Sequence, residues 1–306
     1  MGTRLRRARL FGLLAALLAA PSPGFAQKPF DADIQNFRPA MDSRSFITVE
    51  RSKVLGTMEP TIGLFLNYAF DPLTQDINGK SYSLVEGYGA ANLVLALGFF
   101  RWVEIGANVP VALVRGDTDG PGDNETLSGE GFGDIQLSAK IRILDRDEFP
   151  VGIALVPILQ LQTGEEDAFI THGQSPILRP RVVFDWGIGD RFGVALNAGM
   201  TLRDTRSINQ PVTVTDPDTM AVSTLTRDDP FVFGQSVDFA LGMGYELIDD
   251  AFEVIVEVYG QASLESAPER ANPLETLLGF RYFLAGNSFF TFGVSRGWMG
   301  GQGDPA

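Results

Sequence analysis

The sequence has no cysteine and only one histidine, so disulfides and a lipid-bearing cysteine are excluded and a transition-metal centre is disfavoured. Basic residues are also few: 24 Lys and Arg stand against 38 Asp and Glu, which gives a net charge of −14. So acidic a chain is a poor partner for nucleic acid. Past its first 26 residues it also lacks any apolar run near the roughly 20 residues of a membrane-spanning helix, so helical spans are excluded.

Residues 1–26 have the three parts of a secretory signal peptide. Four arginines precede a short apolar run at residues 10–20, two prolines follow it, and Gly24-Phe25-Ala26 supplies the small-x-small cleavage pattern. The apolar run is too short to span a membrane. We therefore predict export, with a mature chain that starts at Gln27.

The rest of the chain alternates apolar and polar residues with the period of two that is typical of β-strands. Residues 192–203, for example, place Phe192, Val194 and Leu196 on one face and Gly193 and Asn197 on the other. Most candidate strands are longer than those of soluble sheets and suit a tilted crossing of a bilayer. They lie near residues 59–70, 82–98, 102–114, 132–144, 150–163, 177–188, 192–203, 231–247, 252–262, 274–284 and 288–298.

The connections between these strands alternate in length. The long ones are near residues 71–81, 115–131, 164–176, 204–230 and 263–273, and short turns lie between them. Outer-membrane barrels have this alternation of long extracellular loops and short periplasmic turns, whereas a soluble sandwich or barrel has no need of it. We predict an all-β, transmembrane, antiparallel up-and-down β-barrel over residues 58–306, located in the cell outer membrane. Residues 27–57 are then an N-terminal periplasmic segment or plug.

The pattern shows eleven strands, and twelve are expected in the complete protein. Single-chain bacterial barrels have an even number of strands, and an unclosed sheet exposes an edge to lipid. The eleventh strand leads into the glycine-rich stretch 295–306 on the side of the long loops. We therefore expect a twelfth strand after Ala306 and a sequence that lacks it; the alternative is that residues 46–55 close the barrel.

The polar face of the strands predicts a lumen lined by charges of both signs. One interpretation is a narrow, weakly selective polar channel, and the other is a bore filled by groups that neutralise one another. The candidate lumen-lining residues are Glu104, Asp134, Lys140, Arg142, Arg179, Arg181, Asp185, Arg203, Asp238, Glu246, Glu253, Glu257, Glu275 and Arg281.

Other sites have little support. His172 is a lone loop histidine; Ser175 is close in sequence, but no second histidine or supporting motif accompanies them, so we predict no enzyme activity. Asp117, Asp119 and Asp123 in a glycine-rich loop form a weak calcium candidate whose spacing departs from the EF-hand, and a solvated acidic loop is the default. No other cofactor is expected.

Four stretches of the mature chain resemble the N-terminal barrel region of OmpA-like outer-membrane proteins: residues 30–56, 131–144 ("GFGDIQLSAKIRIL"), 178–199 and 272–284 ("NPLETLLGFRYFL"). The resemblance implies a porin-like or transporter-like barrel. In such proteins a peptidoglycan-binding domain often follows the barrel, and none occurs in these 306 residues. A peptidoglycan link is therefore expected only through a domain outside this chain.

These expectations favour a porin-like channel or transporter for small solutes. The alternative is a structural envelope anchor with a filled lumen, the membrane part of an OmpA-like tether. The expected partners are outer-membrane lipid, lipopolysaccharide bridged to acidic loops by divalent cations, and the barrel-assembly machinery.

Overall fold

A computed structural model describes residues 36–77, 80–116, 129–165, 175–208, 212–215, 222–225, 231–265, 272–284 and 288–298. The predicted signal peptide and residues 27–35 lie outside these ranges. Within them the regular structure is entirely β, and no helix is long and apolar enough to cross a membrane. The strands are β1 (Pro60–Ile77), β2 (Lys80–Phe99), β3 (Val103–Gly116), β4 (Gly129–Phe132), β5 (Gln136–Leu144), β6 (Gly152–Gln160), β7 (Ile177–Ile188), β8 (Phe192–Thr201), β9 (Arg206–Ile208), β10 (Val212–Thr215), β11 (Val222–Leu225), β12 (Phe231–Phe233), β13 (Ser236–Ile248), β14 (Phe252–Ser263), β15 (Leu274–Phe283) and β16 (Phe289–Gly297).

The long strands form one antiparallel sheet in the order β1-β2-β3-β5-β6-β7-β8-β13-β14-β15-β16, and β4 also pairs with β3. Each long strand between β1 and β16 therefore pairs with the long strand before it and the one after it, as in an up-and-down meander. The predicted all-β, antiparallel up-and-down arrangement is confirmed. Among the described residues, β1 pairs with β2 alone and β16 with β15 alone.

Two predicted strands are interrupted in the structure. The strand predicted at 132–144 is divided at residues 133–135 into β4 and β5, and the Asp134 side chain in this gap accepts the N–H groups of Thr163 (3.1 Å) and Gly164 (2.9 Å). The strand predicted at 231–247 is divided at residues 234–235 into β12, which pairs with β9, and β13, which belongs to the main sheet.

The connection predicted as a loop at 204–230 contains short strands, so that prediction was wrong in part. β9 pairs with β12, and β10 pairs with β11 in a separate two-stranded ladder. The sequences of β10 and β11, Val-Thr-Val-Thr and Val-Ser-Thr-Leu, are rich in the β-branched residues that favour extended structure.

The two faces of the main sheet have the reverse of the polarity found in soluble proteins. Leu137 and Leu155 on neighbouring strands are about two fifths exposed (41% and 37%), whereas Gln136, Ser138 and Lys140 are buried on the opposite face. The exposed face is apolar along other strands too, including Ile62, Leu64 and Leu66 of β1. Such an extended exposed apolar surface is expected where a protein meets lipid.

The residues before β1 lie against the buried face of the sheet, which we call the inner face. Phe46, Ile47 and Val49 form a hydrophobic cluster with residues of β8, β13, β14 and β15, among them Ala195 and Ile255. Residues 46–55 form no strand, so the suggestion that they close the sheet was wrong. We call residues 36–57 the N-terminal segment.

Glycines on the inner face make room for this segment. A Cβ atom added at Gly242 would lie 2.7 Å from Cδ2 of Phe46 and 3.0 Å from Cβ of Val49, closer than real Cβ atoms approach most neighbours. Gly106 on β3 is in the same situation beside Met41. The absence of a side chain at these positions lets the segment pack directly on the strands.

A pair of engineered cysteines tests this placement, and the chain offers no competing thiol. The Gly242→Cys, Val49→Cys double variant should form a disulfide on oxidation, because one small shift of the segment relieves the 2.7 Å contact of the new Cβ with Phe46 and brings the 3.0 Å Cβ separation to the roughly 3.5–4.5 Å of a real bridge. Peptide mass spectrometry of the oxidised protein measures the link. The Gly106→Cys, Val49→Cys pair is the matched control and should stay reduced. Equal linkage of both pairs would contradict the placement.

Candidate functional site in the lumen

All the predicted lumen-lining residues fall within the described part of the chain. One group is buried: Glu104, Asp134, Lys140, Arg179, Asp185, Glu253, Glu257, Glu275 and Arg281. The others are half-buried: Arg142, Arg181, Arg203, Asp238 and Glu246. Several of them hold the N-terminal segment through hydrogen bonds and ion pairs.

Glu257, in the middle of β14, binds the backbone of the segment. Its carboxylate accepts the N–H groups of Ile47 (2.8 Å), Thr48 (3.0 Å) and Val49 (3.2 Å), and also the hydroxyl of Thr48 (2.7 Å). Three successive amides that converge on one carboxylate form a charge-assisted anion site. A single side chain of the inner face thus accepts the backbone N–H groups of three successive residues that form no strand.

Other side chains of the inner face bind backbone groups in the rest of the segment. The side-chain amide of Asn197 on β8 accepts the N–H of Glu50 (2.9 Å) and donates to its carbonyl (2.8 Å), as a neighbouring strand would. Asp185 accepts the N–H of Ser52 (3.0 Å). Glu104 accepts the N–H of Leu55 (3.0 Å). Asn197 is not among the predicted lumen residues, because that prediction rested on ionisable groups alone, although the alternation of residues 192–203 places Asn197 on the polar face.

Carbonyl groups of the segment are bound by a cation. Arg281 on β15 donates from Nη2 to the carbonyls of Ser45 (3.0 Å) and Phe46 (3.1 Å), and its Nη1 lies 3.4 Å from the Glu253 carboxylate. Its guanidinium also lies 4.4 Å from the centre of the Phe289 ring, within cation–π range. Arg281 therefore links the segment to two neighbouring strands.

Lys140 on β5 binds the acidic side chains of the segment. Its ammonium contacts Asp42, lies 2.5 Å from Glu50 and donates to the hydroxyl of Ser45 (3.0 Å). All four residues are buried. A buried ammonium is stable only when carboxylates and hydrogen-bond acceptors offset its charge. Removal of one member of the ion pair would leave the other as an unpaired buried charge.

The end of the segment is fastened just before β1. The N–H of Gly56 donates to Glu59 (2.7 Å), and Arg44 pairs with the other carboxylate oxygen (2.6 Å). The Gly56 N–H, together with the charge of Arg44, holds the pKa of Glu59 below its usual range although partial burial opposes this. Glu59 therefore stays ionised, and in contact, at neutral pH.

The other candidate sites have less structural context. His172 and the calcium candidates Asp117, Asp119 and Asp123 lie outside the described residues. Ser175 is described, and its hydroxyl donates to Asp204. Across the described ranges, no group of three or more His, Cys, Asp or Glu side chains is placed to hold a metal ion.

Comparison with known proteins identifies the kind of fold. Residues 74–302 match the model of a family described as the putative MetA-pathway of phenol degradation. No curated protein matches the sequence. The crystal structure of an outer-membrane channel from Pseudomonas putida F1 aligns with a TM-score of 0.52 at 12% identity, over 81% of this chain and 91% of that chain. These matches support an outer-membrane β-barrel family, and the narrower resemblance to OmpA-like proteins stays a prediction.

The contact of Glu257 with the segment gives a testable prediction. Glu257→Ala removes the acceptor of three amides, each bonded to a charged group and worth about 1.5–3 kcal/mol. Hydrogen exchange at Ile47, Thr48 and Val49 should accelerate at least about tenfold. Peptide-resolved exchange followed by mass spectrometry measures it in detergent.

Glu59→Ala is the matched control, since it removes one carboxylate that accepts a backbone N–H elsewhere in the same segment. It should accelerate exchange at Gly56 and leave residues 47–49 unchanged. Unaltered protection of residues 47–49 in Glu257→Ala would contradict the role given to Glu257.

Proposed function

The chain belongs to the family described as the putative MetA-pathway of phenol degradation, and we propose that it is an outer-membrane β-barrel channel or transporter for small solutes. The observation that carries this proposal is the reversed polarity of the sheet. Apolar side chains such as Leu137 and Leu155 are exposed, and charged ones such as Lys140 and Glu257 are buried inside. A polar interior behind an apolar exterior is the arrangement of a membrane pore.

The N-terminal segment makes this a narrow channel. A barrel of about eight strands is filled by its own side chains, whereas barrels of about 16–18 strands leave an aqueous channel. The main sheet is intermediate in size, and the segment occupies part of its interior with Phe46, Ile47 and Val49. We infer that the segment sets the width of the pathway.

The way the wall holds the segment is compatible with passage of solutes. Glu257, Asn197, Asp185 and Glu104 bind backbone groups of the segment, and water also satisfies such groups. Water that replaces one of these side chains keeps the backbone group hydrogen-bonded, so the segment is able to shift without leaving polar groups unpaired.

The cellular setting follows from the same proposal. The protein is exported by its signal peptide and inserted in the outer membrane by the barrel-assembly machinery. Lipid then covers the apolar face, and lipopolysaccharide lies beside the long loops. The protein acts by transport and not by catalysis.

A second candidate is a structural envelope anchor with a filled lumen, the membrane part of an OmpA-like tether. The observation that favours it is the buried cluster formed by the segment, in which Val49 and Ile255 have no exposed surface. In this case the interior is a packed core, and any link to peptidoglycan comes from a domain outside this chain.

Planar-bilayer recording distinguishes the two candidates. The protein should give reproducible single-channel steps, and a variant that lacks residues 36–57 should give larger ones because the segment no longer narrows the lumen. Heat-modifiable gel mobility and a β-rich circular dichroism spectrum establish that each sample is folded.

The Arg191→Ala variant is the control, since Arg191 lies in an exposed turn, paired with Asp249, and its loss removes none of the contacts described for the segment. Its conductance should match that of the unaltered protein. Electrical silence from both the folded protein and its folded deletion variant would contradict the channel and favour the anchor.

A further inference from the structure

The inner face of the sheet is covered unevenly. Along β2, β3 and β6, every inward residue that the structure describes is buried. On the two edge strands, none of the inward residues at odd positions 61–69 of β1 and 289–297 of β16 is buried, and Gly293 and Ser295 are exposed. We call these odd-numbered residues the open strip.

Register and packing show which way these residues face. Ser295 pairs with Leu277 of β15, and paired residues of neighbouring strands point to the same face. Leu277 lies in the buried cluster around the N-terminal segment, and Phe65 packs against that cluster from β1. The two edges therefore flank one part of the interior. A strand that paired with either edge would lie in the plane of the sheet and would leave these inward residues uncovered.

The open strip has no ionisable residue. Glu275 and Arg281 on the adjacent strand β15 are buried. Glu275 accepts the hydroxyl of Tyr259 (2.6 Å), and Arg281 donates to carbonyls of the segment. At the end of the strip that leads to the short turns, Arg44 and Glu59 form an ion pair of 2.6 Å. The interior is thus divided into a charged part, which the segment occupies, and an uncharged part, which stays open.

Two phenyl rings narrow the open strip. Phe65 of β1 and Phe37 of the segment are both half-buried, with ring centroids 6.4 Å apart and an interplanar angle of 55°. Phe65 packs against both hydrophobic clusters of the interior, of which one contains Ile47 and the other Met41. We call Phe37 and Phe65 the ring pair. Because one ring belongs to the segment and the other to the sheet, their contact sets the space between the two.

We propose that solutes cross the barrel along the open strip, that the ring pair is its constriction, and that it admits small uncharged solutes in preference to ions. An ion that enters this part of the interior loses water and meets no opposite charge, which is costly. A neutral polyol exchanges its bonds to water for bonds to hydroxyl and amide groups. Thr61, Asn67 and Ser295 supply such groups along the strip. The proposal rests on the proposed channel function, for which it names a class of solute.

Swelling of liposomes that contain the full chain tests the solute class. Xylitol and potassium xylonate are the probes, since they share a carbon skeleton and differ in charge, and valinomycin keeps potassium from limiting the entry of xylonate. The unaltered protein should admit xylitol faster than xylonate. Equal rates for the two probes would overturn the proposal.

The ring pair is tested by Phe65→Ala in the same liposomes. Loss of one ring widens the constriction, so xylitol entry should become faster. Phe70→Ala is the matched control, because Phe70 lies on the outer face of the same strand with 66% of its surface exposed, and its loss should leave the rate unchanged. Unaltered xylitol entry in Phe65→Ala protein that shows heat-modifiable gel mobility would contradict the constriction.

The position of the strip is tested without any measurement of transport, and the chain has no cysteine of its own. A membrane-impermeant thiosulfonate that carries a sulfonate group should label Ser295→Cys in liposomes, as read from the intact mass. Val294→Cys is the matched control: its neighbour Val294 faces outward, 71% exposed, where lipid should prevent labelling. In a salt gradient, the sulfonate on Ser295→Cys should shift the reversal potential towards cation preference, and a trimethylammonium reagent should shift it towards anion preference.

Failure of the pathway is distinguishable from failure of the channel. A folded protein that admits xylitol but leaves Ser295→Cys unlabelled remains a channel whose pathway lies elsewhere. A folded protein whose Ser295→Cys is labelled but which admits neither probe and carries no current has an open strip without transport, and this result contradicts the channel and the pathway together.

Discussion

The structure depends on one requirement, that an irregular stretch of backbone enclosed by a sheet must have its polar groups paired. Residues 45–55 form no strand ladder of their own. Burial of one of their N–H or C=O groups without a hydrogen-bond partner would cost on the order of several kcal/mol. The inner face supplies the partners as side chains. Glu257 and Asn197 act on the amides, and Arg281 acts on the carbonyls.

This requirement explains why so many charges lie inside. The expectation was that acids and bases of the wall either form a polar channel or neutralise one another. Glu253 and Arg281 do form such a pair, but Glu257, Asp185 and Glu104 bind amides of the segment, and Lys140 binds its carboxylates. The charged side chains of the inner face thus serve mainly to hold the N-terminal segment.

Much of the sheet was predictable from alternation, because the period of two is a local property of each strand. The strands at 177–188 and 252–262 were placed within a residue of their ends. The errors occur where a contact distant in sequence intervenes. The strand at 132–144 is interrupted where the Asp134 side chain binds Thr163 and Gly164, and residues 231–233 pair with β9 instead of continuing β13.

The sequence by itself determined that the chain builds long antiparallel strands with one apolar and one charged face, since neighbouring residues encode that pattern. It did not determine what the charged face binds. Glu257 meets Thr48 across 209 positions, and Asn197 meets Glu50 across 147. These contacts depend on the strand register and on the curvature of the sheet, which brings separate strands around the segment. Only the tertiary structure fixes both, because no local rule relates residues so far apart.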